Sequence, residues 1–360
     1  MNDSEILYWL SLSGLSVKKQ KQIIRLAGSV SKIKSEFIIN SEIREVCGNK
    51  HANMVRTFQE DYVKESLKKL SNDNIKVCTV LNPLYPDCLK QQEVNAPLIF
   101  YYKGDLSLLK NPCIAVVGTR RCSKYGKDMT FKFVHGLVKG GFTIVSGLAT
   151  GIDGYAHQSA LDNKGRTIAV LGCGLNVVTP VSNAELYDKI CDNGGLIISE
   201  YPPNAYATKY TFPERNRIIS GLSKGVLVVE AGEKSGALIT ADFALEQGRD
   251  VFAVVGNLDS SRSVGTNNLI YNGATMVRNG EDICQFYGIS IQKITDREVK
   301  KLDNTQKTIY ILLSEGEKSF DELIELTKKS SPELSVILTD MEIDGLIERT
   351  TADNYIITEK

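Results

Sequence analysis

The sequence predicts an α/β fold: a doubly wound, mostly parallel sheet, with a small helical domain before it and a winged-helix domain after it. Three observations carry that expectation. Six short Val- and Ile-rich runs, CIAVVG, GFTIVSG, RTIAVLG, GLIISE, GVLVVE and DVFAVVG, follow one another from residue 113 to residue 256. Each is followed by glycine or polar residues and then by text of helical spacing. Near-continuous apolar strands alternating with helices belong to parallel sheets covered on both faces. The flanking regions have the 3.6-residue period of short helices, without the strand pattern.

Taken in order, residues 1–75 read as a small helical domain of the SAM/helix-hairpin-helix kind. EILYWLSLS, SVKKQKQIIRLAG, SEFIINS and MVRTFQEDYVKESLKKL have helical spacing and are punctuated by Gly14, Gly28 and Gly48. Residues 76–289 form the predicted core. It opens with an extended segment, residues 82–105, in which Pro83, Pro86 and Pro97 lead to an expected edge strand, LIFYYKG. Residues 290–304 are polar and charged and read as a linker. Residues 305–360 give three helices and a hairpin, the pattern of a winged helix. Its helix in the recognition position, PELSVILTDMEIDG, has no Lys or Arg and carries Glu333, Asp340, Glu342 and Asp344. Such a helix would be repelled by phosphates, so this domain reads as a protein-interaction or intramolecular module.

Composition narrows the class. With 42% hydrophobic and 24% charged residues, this is an ordinary soluble chain. The N-terminal text shows no basic leader before an apolar core, and the apolar runs fall far short of a bilayer span. A cytoplasmic protein with no membrane association is expected. The eight cysteines form no CxxC pair, so reduced, buried thiols are expected, and no metal site. The formal net charge of zero conceals an asymmetry. Residues 305–360 hold 12 acids and 6 bases, leaving 37 bases against 31 acids in residues 1–304. That mild excess matters only if it is focused on one face.

The ends of the predicted strands supply the focus, since ligands of open α/β sheets bind there. The first strand ends in AVVGTRRCSKYG. There Gly118 permits close backbone approach, and Thr119, Arg120, Arg121 and Ser123 offer donors to a phosphate. The second ends in SGLATGIDGYAHQSAL, where Gly147, Gly151 and Gly154 turn the chain into a helix, with Asp153 as the expected N-cap. His157, four residues on, shares a helix face with Asp153. No nucleophile accompanies them, so the pair reads as a cap and a packing histidine rather than as catalytic groups.

A dinucleotide fold would want three glycines and an acid about 20 residues further on. LGCGLNVVTP lacks the third glycine, and Glu200 lies too far from it, so no nicotinamide cofactor is expected, nor any other. EAGEKSGAL places Ser235 and Gly236 before a helix, with Glu230 and Glu233 available to orient arginines. The loop NLDSSRSVGTNN brings Asn257, Ser261, Arg262, Thr266 and Asn267 to the same edge. Between two of the strands lies KYTFPERNR, which packs Lys209, Tyr210, Phe212, Arg215 and Arg217 around the acid Glu214. Cations that hold phosphates beside rings that stack on bases are what a groove for single-stranded nucleic acid needs. Arg217 stands two residues from Arg215 and cannot share its helix face, so one of the two is expected to pack inward or pair with Glu230. Arg217 is the expected structural one.

In order and spacing these motifs resemble the DNA-processing protein A (DprA/Smf) family. The matching pieces are YPDCLKQQEVNAPLIFYYKGD, VGTRRCSKYG, SGLATGIDGYAHQSAL, FPERNRIISGLS, SGALITADFALEQGRDVFAV and GTNNLI, which cover most of residues 80–285. A departure stands at Val255, where the family usually has proline before Gly-Asn. The resemblance implies an extended Rossmann-like core that binds single-stranded DNA, protects incoming DNA in natural transformation and loads the RecA recombinase onto it. It also implies a homodimer and no catalytic residues. By motif position, Arg120 looks like the family's DNA-contacting arginine, and Lys209 and Phe212 like its lysine and stacking aromatic. The alternative reading is a nucleotide-processing enzyme similar to the nucleoside-monophosphate phosphoribohydrolases. EAGEKSGAL lacks the PGGxGT loop of that group.

Overall fold

The apolar runs become strands that are buried on both faces. Every residue of Cys113–Val117, Thr143–Ser146, Thr167–Leu171, Leu196–Ser199 and Gly225–Val228 is shielded from solvent. The computed structural model describes residues 1–90, 96–289, 302–314, 316–343, 346–350 and 354–357. Met1–Tyr287 form one compact unit and Gly288–Lys360 a second.

The first unit begins with six helices: α1 (Asp3–Ser11), α2 (Val17–Ala27), α3 (Ile33–Ile39), α4 (Ser41–Cys47), α5 (His51–Thr57) and α6 (Glu60–Asn72). Trp9 centres them, with Phe37 edge-on at 4.9 Å and Phe58 at 4.4 Å between ring centroids. The segment MVRTFQEDYVKESLKKL, expected as one helix, is two. The chain leaves helical geometry at Phe58, where ψ is 60°, and the ring of Phe58 packs against Trp9.

The sheet follows as β1 (Lys76–Thr79), the short helix α7 (Asp87–Lys90), β2 (Ile99–Gly104), β3 (Cys113–Val117), α8 (Lys124–Lys139), β4 (Thr143–Ser146), α9 (Ile152–Asp162), β5 (Thr167–Leu171), α10 (Ala184–Asp192), β6 (Leu196–Ser199), α11 (Thr211–Leu222), β7 (Gly225–Val228), α12 (Gly236–Glu246), β8 (Asp250–Val254), α13 (Val264–Tyr271), β9 (Thr275–Val277) and α14 (Gly280–Phe286). The nine strands lie in the order β1-β2-β6-β5-β4-β3-β7-β8-β9. From β6 to β9 every neighbouring pair is parallel, while β2 runs antiparallel to both of its neighbours, β6 and β1. LIFYYKG is therefore not the edge. β2 is paired on both sides, with β6 and with β1, and the edge is β1. KVCT is too short and too mixed to announce itself as a strand.

One face of the sheet and the N-terminal helices share a core. Trp9, Ile23, Phe37 and Val63 belong to the same buried cluster as Tyr101, Leu171, Cys173 and Ile197. A second cluster, with Phe100, Val117, Val145, Ile218 and Val228, fills the other face.

The second unit has helices Asn304–Ser314, Phe320–Thr327 and Ser331–Ile343 and a small antiparallel sheet, β10 (Lys318–Ser319), β11 (Ile347–Arg349) and β12 (Asn354–Ile357), with β12 central. Leu334, Leu338 and Met341 turn one face of the last helix into the core beside Ile309, Leu323 and Tyr355. The predicted linker, through residue 301, lies outside the described residues, as does Asp344.

Candidate functional site

The strand order creates a crevice at a defined place. From β3 the chain moves outward through β4, β5 and β6, then returns to the other side of β3 as β7. The loops after β3 and β7 therefore diverge, and this switch point is where open α/β sheets bind ligands. Backbone bonds hold the two loops together just past the strands. The Val229 amide donates to the Val117 carbonyl at 3.0 Å, and the Thr119 amide to the Glu230 carbonyl at 2.7 Å. A side chain at residue 118 would put its Cβ 2.5 Å from Ile152 Cγ1, so only glycine fits there.

Above the loops opens a crevice of about 650 Å³. Its walls bring together Gly118, Thr119, Arg120 and Arg121 from the β3 loop, Lys209, Phe212 and Arg215 from KYTFPERNR, and the N-terminus of α12 at Ser235 and Gly236. Seven of the residues offered by the strand ends and by KYTFPERNR thus line one cavity, while Ser123, Gly147 and Arg217 do not. The Arg120 guanidinium sits 5.1 Å from the centre of the Phe212 ring, and that of Arg215 6.0 Å from it. Arg120, Arg121 and Lys209 are exposed, and none forms an ion pair among the described residues. Ser235 caps α12, its hydroxyl accepting from the Ala237 amide at 3.4 Å. The other amides of that first turn leave the helix N-terminus favourable to an anion.

The remaining three residues, and Arg215 itself, have other duties. Ser123 gives both its amide and its hydroxyl to Glu230, at 2.8 and 2.7 Å. Glu230 therefore holds the start of α8 and does not pair with an arginine. The Gly147 amide donates to Asp153 at 3.1 Å, which turns it away from an incoming anion. Asp153 is the second residue of α9, with Gly151 (φ 77°) in the cap position, so its expected capping role is replaced by this inward bond. Burial pushes its carboxyl above the usual range, against the pull of Arg215 and of the Gly147 and Ala149 amides.

Arg215 is 3% exposed. Its Nη1 donates to the Gly147 carbonyl at 2.8 Å and also to the Val170 carbonyl. It lies in the floor beneath Phe212 and is placed to support the ring rather than to meet a strand of phosphates. Arg217 is structural too, but its partner is Glu200, at 2.5 Å, and not Glu230. Burial raises the Glu200 carboxyl, and Arg217 opposes that shift. The phenolic hydroxyl of Tyr201 donates to Glu214 at 3.1 Å and to the Thr211 carbonyl at 3.3 Å, which fixes the first turn of α11 and with it Phe212.

His157 packs in the helix, wholly buried, with Nδ1 2.6 Å from the Thr167 hydroxyl. Burial, with the Arg215 charge, lowers its pKa to about 3. Among the described residues no His/Cys/Asp/Glu cluster could hold a metal, and no helix is long and apolar enough to cross a membrane. Asn216 also lines the crevice and donates from its side chain to the Gly236 carbonyl at 3.3 Å, tying α11 to α12. It follows Arg215 directly in the text, but nothing in residue type alone marks it as a brace.

Geometry thus defines a Rossmann-like protein whose switch-point crevice offers exposed cations and a fixed aromatic ring. Residues 76–288 match the family model of DNA recombination-mediator protein A, and residues 295–352 that of the DprA winged helix domain. The chain belongs to the DNA recombination-mediator protein A family. It is 41% identical over 281 residues to DNA processing protein DprA of Streptococcus pneumoniae, covering 77% of this chain and 95% of the relative. It is 34% identical to protein Smf of Synechocystis over 99% of both chains. The X-ray structure of the Streptococcus pneumoniae DprA superposes with a TM-score of 0.69 at 36% identity, over 81% of this chain and 99% of that one. DNA processing protein A from Helicobacter pylori, known for a unique single-stranded DNA binding mode, superposes with a TM-score of 0.53 at 32% identity, over 59% of this chain and 95% of that one.

Proposed function

We propose that this chain binds single-stranded DNA in the switch-point crevice and hands it to a RecA recombinase, in homologous recombination or natural transformation, acting as a homodimer in the cytoplasm. The observation that carries the binding step is the Arg120–Phe212–Lys209 wall. An exposed guanidinium stands 5.1 Å from a fixed ring, with an exposed ammonium on the rim. Such a wall serves a phosphate and a base at once and has no preference among bases. The family relationship and the DNA-binding mode of the Helicobacter pylori relative support the same reading. The carboxylates nearest the crevice are engaged by backbone amides and by Ser123, so the site is read as one that binds rather than one that cleaves.

The test is fluorescence anisotropy with labelled oligo-dT across a salt series. Phe212→Ala is expected to weaken binding by about 1–3 kcal/mol at every salt concentration. Lys209→Ala is expected to reduce the slope of log K against log salt by about 0.7. Unchanged affinity and slope in both variants would sink the assignment. Delivery to RecA is tested separately, by whether the protein speeds RecA filament assembly on single strands covered by single-strand-binding protein.

A further inference from the structure

The loop from β6 to α11 displays two tyrosines in a manner that packing does not require. Tyr206 is 81% exposed and Tyr210 65%. The loop that carries them is firmly tied down. The Gly174 amide donates to the Ala205 carbonyl at 2.8 Å, and the Asn176 amide to the Pro203 carbonyl at 2.9 Å. The Asn176 side chain bonds Asn204 at 3.0 Å and Asp73 at 2.8 Å. Further along, the Tyr210 and Thr211 amides both donate to the Thr208 hydroxyl at 3.3 Å. Ala207, between the two rings, turns the other way and packs against the core shared with the N-terminal helices. The backbone is thus held in a shape that points large rings outward, and ordered rings with an apolar body and a wet tip are characteristic of binding surfaces.

Position relates these rings to the crevice. Tyr210 lies two residues before Phe212, and the Lys209 ammonium sits 5.0 Å from its ring centre. Tyr206 and Phe212 are six residues apart in sequence, so both are within about 20 Å along the chain. Tyr210 with Lys209 thus repeats outside the crevice the pairing of ring and cation found inside it, and Tyr206 lies on the same loop.

We propose that a single strand leaving the crevice passes over Lys209 and stacks successive bases on Tyr210 and Tyr206, giving the protein two binding positions beyond the Phe212 site. This rests on the single-stranded DNA reading of the crevice. The rings favour no base, because every base has a π-face, and they engage only strands long enough to run out of the crevice.

Anisotropy with a dT trimer and a dT dodecamer tests it on the full chain. Tyr206→Ala and Tyr210→Ala are each expected to weaken dodecamer binding about five- to tenfold, with less than a twofold change for the trimer. Tyr→Phe at either position is expected to restore dodecamer binding, and the salt slope to stay that of the unaltered protein. A dodecamer bearing 5-iodouracil is expected to photocross-link at Tyr206 or Tyr210. Both side chains are exposed, so their loss leaves the fold intact. Normal dodecamer affinity in the tyrosine variants, while Arg120→Ala and Phe212→Ala still weaken binding, would overturn this inference alone. Equal losses on trimer and dodecamer would overturn it as well. Normal affinity in all four variants would overturn the crevice reading and this inference with it.

Discussion

The crevice of the α/β unit and the last helix of the winged helix differ in the property a polyanion senses first. The crevice presents Arg120, Arg121 and Lys209 without acidic partners among the described residues. The helix Ser331–Ile343 sits where a winged helix would read a groove, yet Glu333, Asp340 and Glu342 stand on it with no base. Its outward apolar residues, Val336 at 62% and Ile343 at 77% exposure, suit a protein partner better than a phosphate backbone. Topology names the element, and charge decides what it can meet.

The sharpest way to break the comparison is to remove what holds the crevice up. Arg215→Ala takes the donor from the Gly147 and Val170 carbonyls and removes the charge that most opposes the upward shift of the buried Asp153 carboxyl. A loss of about 3–5 kcal/mol in urea unfolding is expected, with DNA affinity lost alongside. A variant of normal stability would mean that Arg215 is not the floor described above.

Acid should separate the two units next. All three histidines lie in the first unit, at 51, 135 and 157. His157 is held neutral, with its pKa lowered to about 3, against an ordinary value of about 6.5 in the unfolded chain. Its contribution to stability is therefore complete above about pH 6.5 and is lost as pH falls toward 3, at up to about 1.4 kcal/mol per pH unit. Urea unfolding at pH 7 and pH 5, compared between the unaltered protein and His157→Gln, checks this. The variant should show the smaller acid loss, and equal losses would refute it.

The smallest effects concern the winged helix. Deleting residues 305–360 is expected to leave oligo-dT affinity within about twofold, because the proposed phosphate contacts lie in the first unit. Asp340→Lys with Glu342→Lys is expected to add a weak, salt-sensitive affinity for duplex DNA, visible in a mobility shift at low salt. If the deletion abolishes binding, the charge argument for this unit is wrong.

Much of the fold was legible in the text because a parallel sheet buried on both faces writes itself as unbroken apolar runs. β1 and β9 were not, since KVCT and TMV are short, only partly buried edge strands. The break between α5 and α6 was hidden too, because only the packing of Phe58 on Trp9 explains it. At the site, GTRR and KYTFPERNR announced themselves by residue type. Which of their arginines face water did not. The two-residue spacing marked Arg217 as structural but not its partner Glu200, and Arg215 looks as accessible in sequence as Arg120 until the distant carbonyls of Gly147 and Val170 draw it inside. Pairings of that range leave no local pattern.

The core that the N-terminal helices share with the sheet has a practical consequence. None of residues 1–72 lines the crevice, yet Trp9, 1% exposed and the sole tryptophan of the chain, is buried in the same cluster as Ala169 and Leu171 of β5 and Ile197 of β6. Its emission is thus a built-in optical gauge of the unit that holds the crevice, and the winged helix, which has no tryptophan, contributes nothing to that signal.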